Sequence, residues 1–143
     1  MAKRFHDIFL QVEKATKKAD KIAILKSNSS AALKLVLGLT YDPAIKWLLP
    51  EGTPPYRALP ADSDGELDLA GELRKMYLFT EGTSETQKNL KQIRREQLFI
   101  QMLESIDPDE AKVVIGMKER KLPYKGMTRK LVAEAFPNLA KNW

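Results

Sequence analysis

The chain has 143 residues, 43% hydrophobic and 30% charged, with 24 Lys or Arg against 19 Asp or Glu and a net charge of +5. That length is about one domain, the apolar share excludes a disordered chain, and no apolar run approaches the ~20 residues of a membrane span. Zero Cys and a single His exclude a disulfide framework, thiolate chemistry and the common zinc sites.

The apolar spacing is helical nearly throughout. Phe5, Ile8, Phe9 and Val12 fall at i, i+3, i+4, i+7 and predict a first helix, with no signal-peptide core ahead of it. Ile22, Ile24 and Leu25 belong to a short second helix. Ser29 or Ser30 caps a third over residues 31–39, with Leu33, Val36 and Leu37 as its buried positions. Asp42 and Pro43 read as a cap and first-turn proline for a short helical piece through Ile45, Trp47 and Leu48. Pro50, Pro54, Pro55 and Pro60 then make residues 50–65 an irregular connection, an apron over the core with Tyr56 and Leu59 tucked in.

Asp64, Glu66 and Asp68 crowd a helix start, where negative charge is favoured, and that helix runs over residues 67–79 to a stop at Gly82. Ser84 and Gln87 form a capping box for a long helix over residues 85–105. Leu90, Ile93, Ile100 and Leu103 are its apolar positions, with Lys88, Lys91, Arg94 and Arg95 on its other faces. Asp107 and Pro108 open a helix through Val114 and Met117. Thr128 caps the last one, with Met127 and Val132 placed as a hydrophobic staple. Nothing reads as strand. The expected fold is an all-α, single-domain bundle of about six to eight helices spanning residues 1–143.

Few constellations carry chemistry. Asp62, Asp64 and Glu66 resemble a calcium loop, but Gly65 falls fourth rather than sixth and Leu73 holds the position of the bidentate Glu. His6 has neither an orienting partner nor a nucleophile signature, so a surface or partly buried histidine is the plainer reading. No phosphate-binding G-x-x-x-x-G-K-[ST] run, H-E-x-x-H or G-x-S-x-G occurs. The expectation is a protein with no catalytic set, no metal and no cofactor.

Charge is patterned instead. Residues 1–46 carry nine Lys or Arg against four acids, residues 47–87 three against eight, and residues 88–143 twelve against seven. Such a layout can fold into a basic and an acidic face. One basic group comprises Lys14, Lys17, Lys18, Lys21 and Lys26. The other lies in residues 118–130, where six Lys or Arg face one Glu. There Lys121 and Lys125 flank a turn, Gly126 permits close backbone approach, and Thr128 offers a hydroxyl and an N–H to an anion. Cations at a helix start oppose the macrodipole, and an anion bound there relieves the conflict. The plain alternative is a loop between helices that happens to be basic.

At these residues the chain resembles the N-terminal DNA-binding domain of ATP-dependent DNA ligases, particularly those of large tailed bacteriophages. That family has a first helix, a lysine-rich short helix and a leucine-rich helix ending near Leu-Thr-Tyr; here these are Lys17, Lys18, Lys21 and Lys26, then Leu33 through Leu39, Thr40 and Tyr41. It closes with Arg-Asp-Leu, a Gly turn, a Ser cap and an aromatic-Pro-Gly-Leu ending. The counterparts are Arg120, Lys121, Leu122, Gly126, Thr128, then Phe136, Pro137, Asn138 and Leu139. Lys121 stands where the family has Asp, which makes the turn more basic and removes a salt-bridge partner for Arg120.

The resemblance implies a ligase-domain-like helical fold that holds duplex DNA, including nicked DNA, from the minor-groove side through phosphates. The adenylate-accepting Lys-x-Asp-Gly motif is absent and the chain stops at Trp143, so it implies a stand-alone, non-catalytic module. A phage origin follows, with the protein in the cytoplasm of the infected bacterial host or in the virion. Lys17, Lys18, Lys21, Arg120, Lys121, Lys125, Gly126, Thr128 and Arg129 are the expected DNA-binding residues. The alternative is a protein-interaction module, a virion component or inhibitor of a host protein, which would use the acidic residues 62–72 with Trp47, Tyr56 and Trp143.

Overall fold

The computed structural model describes residues 4–63 and 65–143; Asp64, expected at a helix start, lies outside them. Helix α1 (Phe5–Lys14) buries the four residues its spacing predicts, Phe5, Ile8, Phe9 and Val12. Its first turn receives no cap from Arg4. Glu110, far along the chain, caps it instead, its carboxylate accepting from Phe5 N at 2.9 Å and His6 N at 3.1 Å. Two of the donors that a helix start leaves free are thereby satisfied from another helix.

Helix α2 (Lys18–Ser27) buries only Leu25 fully. Helix α3 (Ala31–Tyr41) starts at Ser30, whose hydroxyl accepts from Leu33 N at 3.0 Å, and runs two residues past the expected end. The short helix expected after Pro43 does not form. Asp42 Oδ1 accepts from Ala44 N at 2.9 Å in a tight turn, and the chain then extends. Its amides and carbonyls pair with a later segment instead, Leu48 N donating to Phe79 O at 2.7 Å and Glu81 N to Lys46 O at 2.8 Å. The Trp47 indole donates back to Leu39 O at 3.0 Å, which holds this segment against the end of α3.

Residues 50–63 are irregular, in keeping with their four prolines, and Tyr56 and Leu59 are half-buried. This apron is fastened by Lys118, which is 5% exposed and donates to Pro50 O at 2.9 Å and Gly52 O at 2.8 Å. Glu119 accepts from Gly52 N beside it. Asp68 Oδ1 then accepts from Gly71 N at 2.7 Å and opens α4 (Leu69–Glu72). The expected helix through Phe79 tightens after Glu72 into a 3-10 segment (Leu73–Phe79).

Helix α5 (Glu85–Asn89) begins with the predicted Ser84–Gln87 capping box. The continuous helix expected over residues 85–105 is a correction: it breaks at Leu90 and resumes as α6 (Gln92–Leu103). The break shifts the helical phase. Arg95 turns inward with Phe99, Met102 and Leu103, while Ile93, expected on the apolar face, is 74% exposed. Helix α7 (Pro108–Lys118) starts at Asp107, and α8 (Arg129–Ala135) at Thr128, whose hydroxyl accepts from Leu131 N at 3.1 Å.

Seven of the eight α-helices of the described residues contribute to one core, α5 burying no side chain, and in it Phe9, Leu33, Leu37, Phe79, Phe99 and Met117 are fully buried. Phe79 meets Phe99 edge-on at 5.3 Å. Helix α7 lies at the centre, packed on α1, α3 and α6, while α2 packs on α1 and α8. Each large core side chain contributes about 1.5–3 kcal/mol by leaving water. Among the described residues there is no strand, only isolated bridges at Trp47–Thr80 and Gly65–Ile106.

Candidate nucleic-acid interface

The basic stretch begins where α7 ends. Glu119 is the last near-helical residue, Arg120 adopts a left-handed φ of 67°, and Lys121 N returns to Gly116 O at 2.9 Å while Arg120 N bonds Met117 O at 3.2 Å. This pair of bonds is the Schellman arrangement, with Arg where glycine is usual. The turn that follows is pinned by its apolar residues. Leu122, Tyr124 and Met127 are buried, so Lys121, Lys125, Thr128 and Arg129 around them face solvent.

Four further contacts hold the turn. The Tyr124 hydroxyl lies 2.7 Å from His6 Nδ1, with its ring 5.6 Å from that of Phe9. Tyr41 donates to Met127 O at 3.3 Å. Glu13 of α1 accepts from Lys125 N at 3.0 Å. His6 is thus partly buried, in line with the plainer sequence reading, and it has in Tyr124 a partner that the sequence does not announce.

The two basic groups of the sequence meet here, because α2 packs beside α8. Gly126 has φ 88°, and a Cβ at that position would lie 3.0 Å from Lys21 Nζ, so the lysine chain crosses the face of the glycine. The Lys21 ammonium donates to Val12 O at 2.7 Å and closes the end of α1. Lys18 pairs with Glu134 of α8 at 2.7 Å. An exposed pair of this kind is worth about 0–1 kcal/mol but orients one helix against the other.

The nine expected residues therefore divide. Lys17, Lys121, Lys125 and Arg129 are exposed, and their side chains form no ion pair or hydrogen bond among the described residues. Gly126 and Thr128 are exposed between them. Lys18 and Lys21 have internal partners at the edge of the same surface. Arg120 points elsewhere: its guanidinium donates to Leu39 O at 3.2 Å and to Asp42 O, capping the end of α3. Burial, with a smaller push from the nearby Arg129 cation, lowers the Arg120 pKa against the pull of Asp42.

Two contributors were not singled out from the sequence. Glu13 anchors the turn and Glu134 orients α8, and both act across more than a hundred residues of chain, where no local pattern betrays them. Lys130, exposed beside Arg129, adds a further cation. Elsewhere, a hollow of about 320 Å³ is lined by Phe5, Ile8, Leu67, Leu69, Asp107 and Glu110. Its carboxylates are already engaged, Asp107 by Arg4 and Glu110 by the start of α1.

Fold and surface together define an all-α protein with a basic face made by a turn and two helix starts. The chain belongs to a family of unknown function (DUF6433), whose model matches residues 8–124, from α1 into the basic turn. No curated protein and no solved structure matches the chain. No helix of the described residues is long and apolar enough to cross a membrane.

Proposed function

We propose that this protein is a non-catalytic binder of duplex DNA that contacts phosphates with little sequence preference. The supporting observation is that Lys17, Lys121, Lys125 and Arg129 are exposed and, among the described residues, have no side-chain partner, on a turn and two helix starts that α2–α8 packing and the Lys21–Gly126 contact bring together. Unpaired cations around an exposed glycine suit phosphate oxygens, which position a protein on DNA without reporting its sequence. The likeness to the ligase DNA-binding domain supports the same reading, and with it a phage origin and action in the infected host or the virion. The aromatic residues on which a protein-interaction module would draw are engaged internally. Trp47 bonds Leu39 O, Tyr56 packs against the core, and Trp143 lies 6.4 Å from the Tyr41 ring.

A salt titration of binding to intact, nicked and single-stranded DNA tests the proposal. Each phosphate contact contributes about 0.9 to the slope of log affinity against log salt on duplex DNA, so combining Lys121→Glu, Lys125→Glu and Arg129→Glu lowers that slope by roughly 3. Affinity at low salt then falls on the order of a hundredfold or more. No affinity for DNA at low salt, or equal affinity in the triple variant, rejects the reading.

A further inference from the structure

A second basic surface is built by a break that the local sequence does not call for. Residues 85–103 contain neither Gly nor Pro and are rich in helix formers, yet the helix stops at Asn89 and restarts at Gln92. A buried arginine stabilises the break. Arg95, 6% exposed, donates to Leu78 O at 2.9 Å, Gln87 O at 3.0 Å and Leu90 O at 3.3 Å, and to the Gln92 side chain at 2.6 Å. Burying a guanidinium and interrupting a helix both work against stability unless every donor is matched. Departures of this kind from local preference concentrate at functional places.

The product of the break is a corner. Lys88, Lys91 and Arg94 project from it, all exposed and none in an ion pair or side-chain hydrogen bond among the described residues. Between Lys91 and Arg94 stands Ile93, the most exposed large hydrophobic side chain described. Three free cations select a polyanion. An apolar side chain among them matches a nucleic-acid groove, where such side chains insert while phosphates are held on either side.

The corner is separate from the surface at the turn. The α5 and α6 helices pack on the 3-10 segment and α7, and neither packs closely on α2 or α8, whose starts carry the surface at the turn. We infer that the α5–α6 corner is a second DNA-contacting surface and that one molecule bridges two duplex segments, one on each surface. This inference rests on the DNA-binding reading above, and its test separates the two.

Beads carrying one duplex are incubated with protein and a second, labelled duplex, and single-duplex affinity is measured in parallel. The wild-type protein captures the label. The variant combining Lys88→Glu, Lys91→Glu and Arg94→Glu binds a single duplex within about threefold of wild type but captures at least about tenfold less, as loss of three phosphate contacts requires. Ile93→Ala, which leaves the charges in place, weakens capture while leaving single-duplex binding intact. Equal capture by the triple variant overturns the inference. So does single-duplex binding by the wild type without capture, although the DNA-binding reading then stands. A dimer seen by sedimentation at the capture concentration, and lost in the corner variant, also overturns it, because capture then reflects protein self-association. No binding to any duplex removes the DNA-binding reading itself, and this inference with it.

Discussion

Arg120 shows how a cation counted towards a basic surface becomes a fastener. Its left-handed backbone costs a non-glycine residue about 1 kcal/mol, and its charged bonds to two carbonyls return about 1.5–3 kcal/mol each at most. Arg120→Gly removes the strain and the bonds together, so a net loss of about 1–2 kcal/mol in urea unfolding is expected. DNA affinity should stay close to wild type. If Arg120→Gly weakened DNA binding as strongly as Arg129→Glu while stability held, the guanidinium would be a phosphate ligand after all. Lys118 and Arg95 follow the same logic, each buried with its donors on backbone carbonyls. Gly126 is the converse case, a residue whose missing side chain matters. Alanine there meets both a φ of 88° and the Lys21 ammonium, so Gly126→Ala should lose about 1–2 kcal/mol by thermal melting.

At the level of elements, capping chemistry was legible in advance and continuity was not. Ser30, Ser84, Asp107 and Thr128 each cap the helix that their side chains announce, because a cap is decided within four residues of chain. The break between α5 and α6 was invisible because Arg95 stabilises it from the next helix and draws on Leu78 O, a carbonyl of the 3-10 segment. Replacing Arg95 with Leu leaves those carbonyls without their donor. An expected loss of about 2–4 kcal/mol follows, measured by urea unfolding. A near-neutral result would show that the break does not depend on the guanidinium. Gly116 records a second contact between elements: an added Cβ would stand 2.8 Å from Pro123 Cδ and 3.0 Å from Lys121 O. The helix propensity gained by Gly116→Ala, about 1 kcal/mol, is therefore outweighed by overpacking of about 1–3 kcal/mol against the very turn that presents Lys121.

At the scale of the whole molecule, Glu110 ties the first helix to the central one and makes stability depend on pH. Burial pushes its carboxyl up from 4.5 to about 7, against the pull of the Phe5 and His6 amides and Arg4. The native state thus holds the proton more tightly than the unfolded chain does. Its contribution is full below about pH 4.5 and is lost as pH rises through about 7, by on the order of 2–3 kcal/mol. Urea unfolding from pH 5 to pH 8 should show this decline in the wild type and a flatter profile in Glu110→Gln. The same decline in both proteins would assign it to other groups.

An all-helical chain, most of its caps, the irregular proline connection and the apolar face of α1 were determined by residue order alone, since each depends on neighbours within a few positions. Tertiary structure decided which cations remain free. Burial of Leu122, Tyr124 and Met127 turns Lys121, Lys125 and Arg129 outward, and carbonyls brought from distant segments draw Arg95, Lys118 and Arg120 inward. Charge along a sequence is additive, whereas a charged surface forms only from the groups that folding leaves without a partner.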